Sequence, residues 1–237
     1  MKLSAPIHLL KRQAKVLSRQ ERIPLHEALD RIAQREGFNA WSLVAARASS
    51  ADSGKALLAE LVPGDLVLLG ARPGHGKTLL SLELAVEAMK VGRRGVFFTL
   101  DYTRSDIEEC FAAIDEDSKA FEDRFEFDDS DAISAPYIME RLADASRGTV
   151  VIVDYLQLLD QKRENPGVME QVTALRAFAR ERGLIVVFIS QIDRKYDPPA
   201  RPCPELADVR LPNPLDLTLF SKACFLNDGE MRVAAVG

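Results

Sequence analysis

Only three of the 237 residues are cysteines, Cys110, Cys203 and Cys224, and none forms a CxxC pair. An odd, widely spaced set excludes a disulfide framework. With the three histidines scattered at His8, His26 and His75, it leaves no zinc-ligand spacing either. The thiols read as buried or incidental ones in a reducing compartment. No apolar run approaches the ~20 residues needed to span a bilayer. The first ten residues hold a short apolar patch without a signal pattern. The expected location is the cytoplasm, away from membranes. Internal repeats and low-complexity segments are also missing.

The composition that remains is that of a globular protein, 47% apolar and 28% charged. The length suits one ordinary domain with an appendage, or two small domains. A domain of roughly 180 residues buries about 70% of the surface its unfolded chain exposes, enough for a core of its own. The net charge of −5 is unevenly spread. Residues 1–50 carry nine Lys or Arg against four acids, a balance of +5, so the remainder balances at −10. An acidic body does not itself suggest nucleic-acid binding, although a basic arm would supply it.

Along the chain, residues 5–20 have helical periodicity, with Ile7, Leu10, Ala14 and Leu17 on one face. Pro24 suits the start of a second helix with Leu25, Ala28, Leu29 and Ile32 apolar, and Gly37 suits its stop. Asn39 is positioned to cap a third helix bearing Trp41, Leu43 and Val44. These make a small helical module over residues 1–47, either a packing and oligomerisation appendage or a nucleic-acid-binding module. No recognition helix stands out. The small polar stretch 48–55 reads as a linker, and 56–237 as the main domain.

In the main domain the pattern alternates. Strands are predicted at Leu66–Leu69, Gly95–Leu100, Arg124–Phe127, Thr149–Asp154, Leu184–Ser190 and within Thr218–Phe225, with helices between most of them and a last strand near Met231–Val236. Strands alternating with helices imply an α/β fold, a mainly parallel sheet covered on both faces.

The strongest motif is Ala71-Arg72-Pro73-Gly74-His75-Gly76-Lys77-Thr78, placed after a strand and opening a helix that continues through Leu79. The loop from Arg72 through Pro73 to Leu79 would surround a polyphosphate with its backbone N–H groups (Pro73 has none), with the helix N-terminus favouring negative charge. Gly74 and Gly76 let the backbone approach closely. Lys77 would reach the terminal phosphates, and Thr78 would offer its hydroxyl to Mg²⁺. The apolar run Val150–Val153 ends in Asp154, at the strand end where ligands sit in parallel sheets, so Asp154 is the second candidate metal ligand. Gln191 follows the strand Leu184–Ser190 as a candidate γ-phosphate sensor. Asp101, following Gly95–Leu100, is the candidate base for an attacking water.

The segments Leu61–Leu66, Ala71–Thr78, Val153-Asp154-Tyr155-Leu156-Gln157-Leu158 and Ser190-Gln191-Ile192-Asp193-Arg194 resemble the ATPase domain of DnaB-type replicative helicases. The resemblance spans roughly residues 55–210 and implies a RecA-like fold, ATP with Mg²⁺, and a homo-oligomer, with a ring as one form. It also implies that Asp101 stands where the family has a catalytic Glu, one methylene longer. Asp208-Val209-Arg210 is similar to a loop motif that contributes to DNA contact, and Arg232 stands near the family's arginine-finger hairpin. The first 47 residues do not follow the family's pattern. Two readings stay open: a single-stranded-DNA-stimulated motor or helicase, and a nucleotide-gated switch that binds a protein partner.

Overall fold

The apolar runs become strands buried on both faces. In the computed structural model, β1 (Leu66–Ala71), β2 (Gly95–Thr99) and β4 (Val150–Asp154) are buried along their whole length, and β5 (Ile185–Gln191) up to its last residue. Continuous Val/Ile/Leu/Phe runs suit only a sheet covered on both sides. The structure describes residues 4, 5, 7–41, 43, 44, 53–114, 116–156, 159, 165–193, 195, 196, 201, 203–211, 213–227 and 230–236. Gln157, Leu158 and Arg194 of the motifs, and residues 48–52 of the linker, lie outside that set.

One sheet holds seven strands in the order β3-β2-β4-β5-β1-β6-β7, with β3 at Phe125–Asp128, β6 at Lys222–Asn227 and β7 at Glu230–Ala235. Every neighbouring pair is parallel except β6 and β7. All seven predicted strands are present, within a few residues of their expected bounds. The register aligns Thr99 with Asp154, Asp154 with Ile189, and Ala71 with Gln191. The carboxyl ends of four strands therefore finish together. Alternation along the strands then sorts the side chains. Phe97, Ile152 and Ile189 face one core layer, and Phe98, Val153 and Phe188 the other. Thr99, Asp154 and Gln191 fall on the first layer's side, where α4 (Lys77–Lys90) packs. Ser190 falls on the opposite side, its buried Oγ without a hydrogen-bond partner.

Ahead of the sheet stand α1 (Ile7–Glu21), α2 (Leu25–Arg35) and α3 (Ser53–Glu60). Pro24 is the cap of α2 and Gly37, at φ 84°, follows its end. Leu10, Ala14, Leu17, Ala28, Ile32, Trp41 and Val44 form a core of their own. The expected linker needs one correction, because residues 53–55 open helix α3. Gly54 is there for space. A Cβ on it would stand 2.6 Å from the Glu83 backbone carbon, so only glycine lets α3 lie this close on α4.

The same contact buries Glu83. Burial pushes its carboxyl up from 4.5 to about 7, against a lowering hydrogen bond from the Gly54 backbone, with Glu87 adding a smaller push upward. A carboxyl whose folded-state pKa is raised binds its proton more tightly folded than unfolded. Stability therefore falls as pH rises from 4.5 to about 7, and the full cost is present above that window. Glu83→Gln keeps an acceptor for Gly54 and removes the charge. It is expected to gain about 1–3 kcal/mol at pH 8 and nothing at pH 4. Thermal melts at the two pH values check this, and equal melting at pH 8 would refute it.

The segment between α3 and β1 is also held firmly. Gly64, at φ 104°, donates its N–H to Leu184 O at 2.8 Å. The Asp65 carboxylate accepts from the Val62 N–H at 2.8 Å and the Ser221 hydroxyl at 2.7 Å, and pairs with Lys222 at 3.1 Å. This turn ties the start of β1 to both of its neighbours, β5 and β6.

Candidate nucleotide site

β1 ends at Ala71 and the chain turns through Arg72–Gly76 into α4. His75 N–H closes the turn on Arg72 O at 3.2 Å. Gly74 has φ +76° and Gly76 φ +80°, a backbone region open to glycine at no steric cost. Gly76 immediately precedes Lys77, so the free N–H groups of the first turn of α4 point out of the sheet's carboxyl end.

Thr78 and Asp154 are 76 residues apart in sequence and meet here. The Thr78 hydroxyl donates to Asp154 Oδ2 at 3.0 Å, and both residues are buried. Burial pushes the Asp154 carboxyl up from 3.8 to about 6, while the Lys77 ammonium and the Thr78 hydroxyl pull it back down. The Lys77 ammonium is itself pulled below its usual range by burial, opposed by the Asp154 and Asp101 carboxylates. A cation and two carboxylates thus converge on the end of the loop. Two hard oxygen donors side by side fit Mg²⁺, which binds through one or two protein oxygens and completes its shell with phosphates and water. Among the described residues, no cluster of three His, Cys, Asp or Glu would hold a metal without such a ligand.

Of the remaining candidates, Asp101 and Gln191 lie at the strand ends beside this group. Asp101 is exposed beyond β2, and its N–H donates to Thr99 Oγ1 at 3.0 Å. Gln191 ends β5 beside Ala71, half-buried, and its carbonyl accepts the Arg210 N–H at 2.8 Å. Ile192 bridges Val209, so the strand tip is joined by backbone bonds to the Asp208–Arg210 segment. Asp208 is buried and paired with Arg201 at 2.7 Å. Arg232 lies on the edge strand β7, outside the Lys77–Thr78–Asp154 group.

Two lining residues escape sequence reasoning. Tyr102 Oη donates to Thr78 Oγ1 at 3.4 Å, and Cys110 lines the same cavity as Lys77 and Thr78. Burial pushes the Cys110 thiol up to about 12, so it stays neutral there. Tyr102 follows Asp101 directly, and that adjacency was the one available signal.

A glycine loop opening a helix, with its threonine bonded to the carboxylate of a neighbouring strand, defines a P-loop nucleoside triphosphatase domain. Its mainly parallel sheet is RecA-like. The family model described as "ATPase: KaiC" matches residues 28–203, well over half of the chain, and the chain belongs to that family. It is 25% identical over 217 residues to a probable plasmid replicative DNA helicase of Chlamydia trachomatis, covering 74% of this chain and 48% of the relative. It is 26% identical over 197 residues to the replicative DNA helicase DnaB of Mycoplasma genitalium, covering 67% and 42%. The chain thus spans about half the length of these curated relatives. Among solved structures, a DnaB-like replicative helicase superposes with a TM-score of 0.57 at 20% identity, covering 70% of this chain and 48% of that one. A KaiC-like protein from Pyrococcus horikoshii does so with 0.52 at 19% identity, covering 70% and 74%. The DnaB resemblance read from the motifs is therefore supported by relatives and by fold. Among the described residues no helix is long and apolar enough to cross a membrane.

Proposed function

We propose that the chain binds ATP with Mg²⁺ at the Arg72–Leu79 loop and hydrolyses it. We further propose that it works as a homo-oligomeric, DnaB-like motor on single-stranded DNA. The observation that supports the catalytic part is the Thr78–Asp154 hydrogen bond of 3.0 Å, which sets two oxygens of a kind suited to Mg²⁺ beside Lys77. The helical module of residues 1–47 is proposed as an element ahead of the ATPase domain with a small core of its own.

In this reading the loop N–H groups and Lys77 bind the β- and γ-phosphates and neutralise charge that builds up on them. Mg²⁺, when bound, screens the same charge from the Thr78 and Asp154 side. Asp101 accepts the proton of the attacking water. Gln191 faces the γ-phosphate and, through the Arg210 N–H, links its presence to the Asp208–Arg210 segment. An exposed Asp101, one methylene shorter than a Glu, reaches the water less well, so turnover is slow. That shortfall favours a second reading, a nucleotide-gated switch with a protein partner.

The test is Mg²⁺-dependent ATP hydrolysis with and without single-stranded DNA, with Lys77→Ala as the background. Stimulation that is absent from the variant supports the motor. Binding with slow, DNA-indifferent turnover refutes it in favour of the switch. Asp101→Glu separates the causes of slowness. It is expected to raise kcat about tenfold if reach limits general-base catalysis, a part of the roughly 10²–10⁴ such a base contributes. An unchanged kcat would remove Asp101 from that role.

A further inference from the structure

The phosphate loop is nearly bare on its outer side. A Cβ on Gly76 would meet no heavy atom within 4 Å, and one on Gly74 would meet a single neighbour, Trp41 Cδ1, at 3.9 Å. That neighbour comes from the N-terminal module, and it is the only tryptophan in the chain. Trp41 is firmly placed. Its side chain is 4% exposed within the module's core, and its backbone N–H donates to Asp30 Oδ1 of α2 at 2.9 Å. Leu43, two residues on, leaves that core for the main domain's, while Phe38 packs against both cores. The end of the module is therefore joined to the core of the main domain.

We infer that Trp41 is a positioning residue of the nucleotide site. Its indole edge braces the loop at Gly74, and the N-terminal module senses through it whether a polyphosphate is bound. Gly74 at φ +76° belongs to a segment whose freedom is costly to remove on binding. A rigid aromatic wall beside it removes part of that freedom beforehand, and preorganisation of this kind strengthens affinity. A polyphosphate drawn onto the loop N–H groups in turn fixes the contact, so occupancy is transmitted to α1 and α2 without a separate signalling loop. This inference rests on the nucleotide reading of the loop.

The experiment uses the full chain and two readouts. Calorimetry with ATP and Mg²⁺ measures binding, and the emission of Trp41 is followed over the same titration with no added label. Binding is expected to change the emission of Trp41, with both effects lost in Lys77→Ala. Trp41→Ala is expected to weaken ATP binding about fivefold, the scale of coupling between residues in contact. Trp41→Phe, which keeps an aromatic wall, is expected to restore most of that loss. Melting of each nucleotide-free variant reports the purely structural cost. Should Trp41→Ala fail to fold, the wild-type emission still decides. Calorimetric binding with an unresponsive emission overturns the inference alone, as does tighter binding by a folded Trp41→Ala. No calorimetric binding at all overturns the nucleotide reading and this inference with it.

Discussion

Lys77→Ala is expected to stay folded and to lose ATP hydrolysis by about 10²–10³-fold, the cost of removing one preorganised charge from a reacting centre. Burial pulls the Lys77 ammonium down, and what opposes that are the carboxylates of Asp154 and Asp101. A charge held at such cost suits a ligand that compensates it, and a triphosphate does so. Lys77→Ala also takes away the ammonium that stabilises ionised Asp154, so the carboxyl of Asp154 shifts further up and metal binding weakens with it. In the fold, two changes offset each other, because a poorly solvated cation leaves while a buried anion loses its partner. The melting temperature should therefore move little while activity collapses. Lys77→Arg is expected to fare no better, since a planar fork cannot replace a compact ammonium beside the loop. Hydrolysis and thermal melts on the two variants check this. Activity retained by Lys77→Arg would show that a positive charge suffices there, whatever its shape.

What was legible in the sequence was whatever chemistry sits on consecutive residues. Val150–Asp154 could be read as a strand ending in a ligand because continuous apolar burial and a terminal carboxylate are both local patterns. The loop and helix from Gly74 to Thr78 were legible for the same reason. Gly54 was misleading. Beside serines and a lysine it looked like part of a small polar linker, yet it is a helical glycine required by its closeness to Glu83, 29 positions away. No short window of sequence contains both residues. The nearness of Trp41 to Gly74 and the contact of Tyr102 with Thr78 were hidden in the same way, because they join segments whose spacing has no periodicity. The joining of Gln191 to Arg210 was invisible for another reason. It uses backbone atoms, which every residue has, so no side-chain pattern marks it.

Asp154→Asn is expected to make the nucleotide-free protein more stable and the enzyme nearly inert. The carboxyl of Asp154 is pushed up to about 6 from 3.8 by burial, so the folded state holds its proton through a window where the unfolded state has released it. Stability from this group therefore falls as pH rises from 3.8 to about 6, and the cost is complete above that. An amide has the same shape, still accepts the Thr78 hydroxyl and carries no charge. The gain at pH 8 should be about 1–3 kcal/mol, vanishing near pH 4 where the wild-type carboxyl is largely protonated. Lys77 loses one partner in the variant but keeps Asp101 nearby, so its loss does not reverse the sign. Function should move the opposite way. Without a carboxylate the Thr78–Asp154 pair no longer attracts a divalent cation, and hydrolysis should fall about 10²–10³-fold, with Mg²⁺ ceasing to strengthen ATP binding. Melts across pH 4 to 8 and calorimetry with and without Mg²⁺ separate the two effects. A lower melting temperature than the wild type at pH 8 would mean that Asp154 is a structural partner of Lys77 and Thr78, with metal binding secondary. A higher one, together with lost Mg²⁺ dependence, would mean that the site gives up stability to keep a metal ligand ionised.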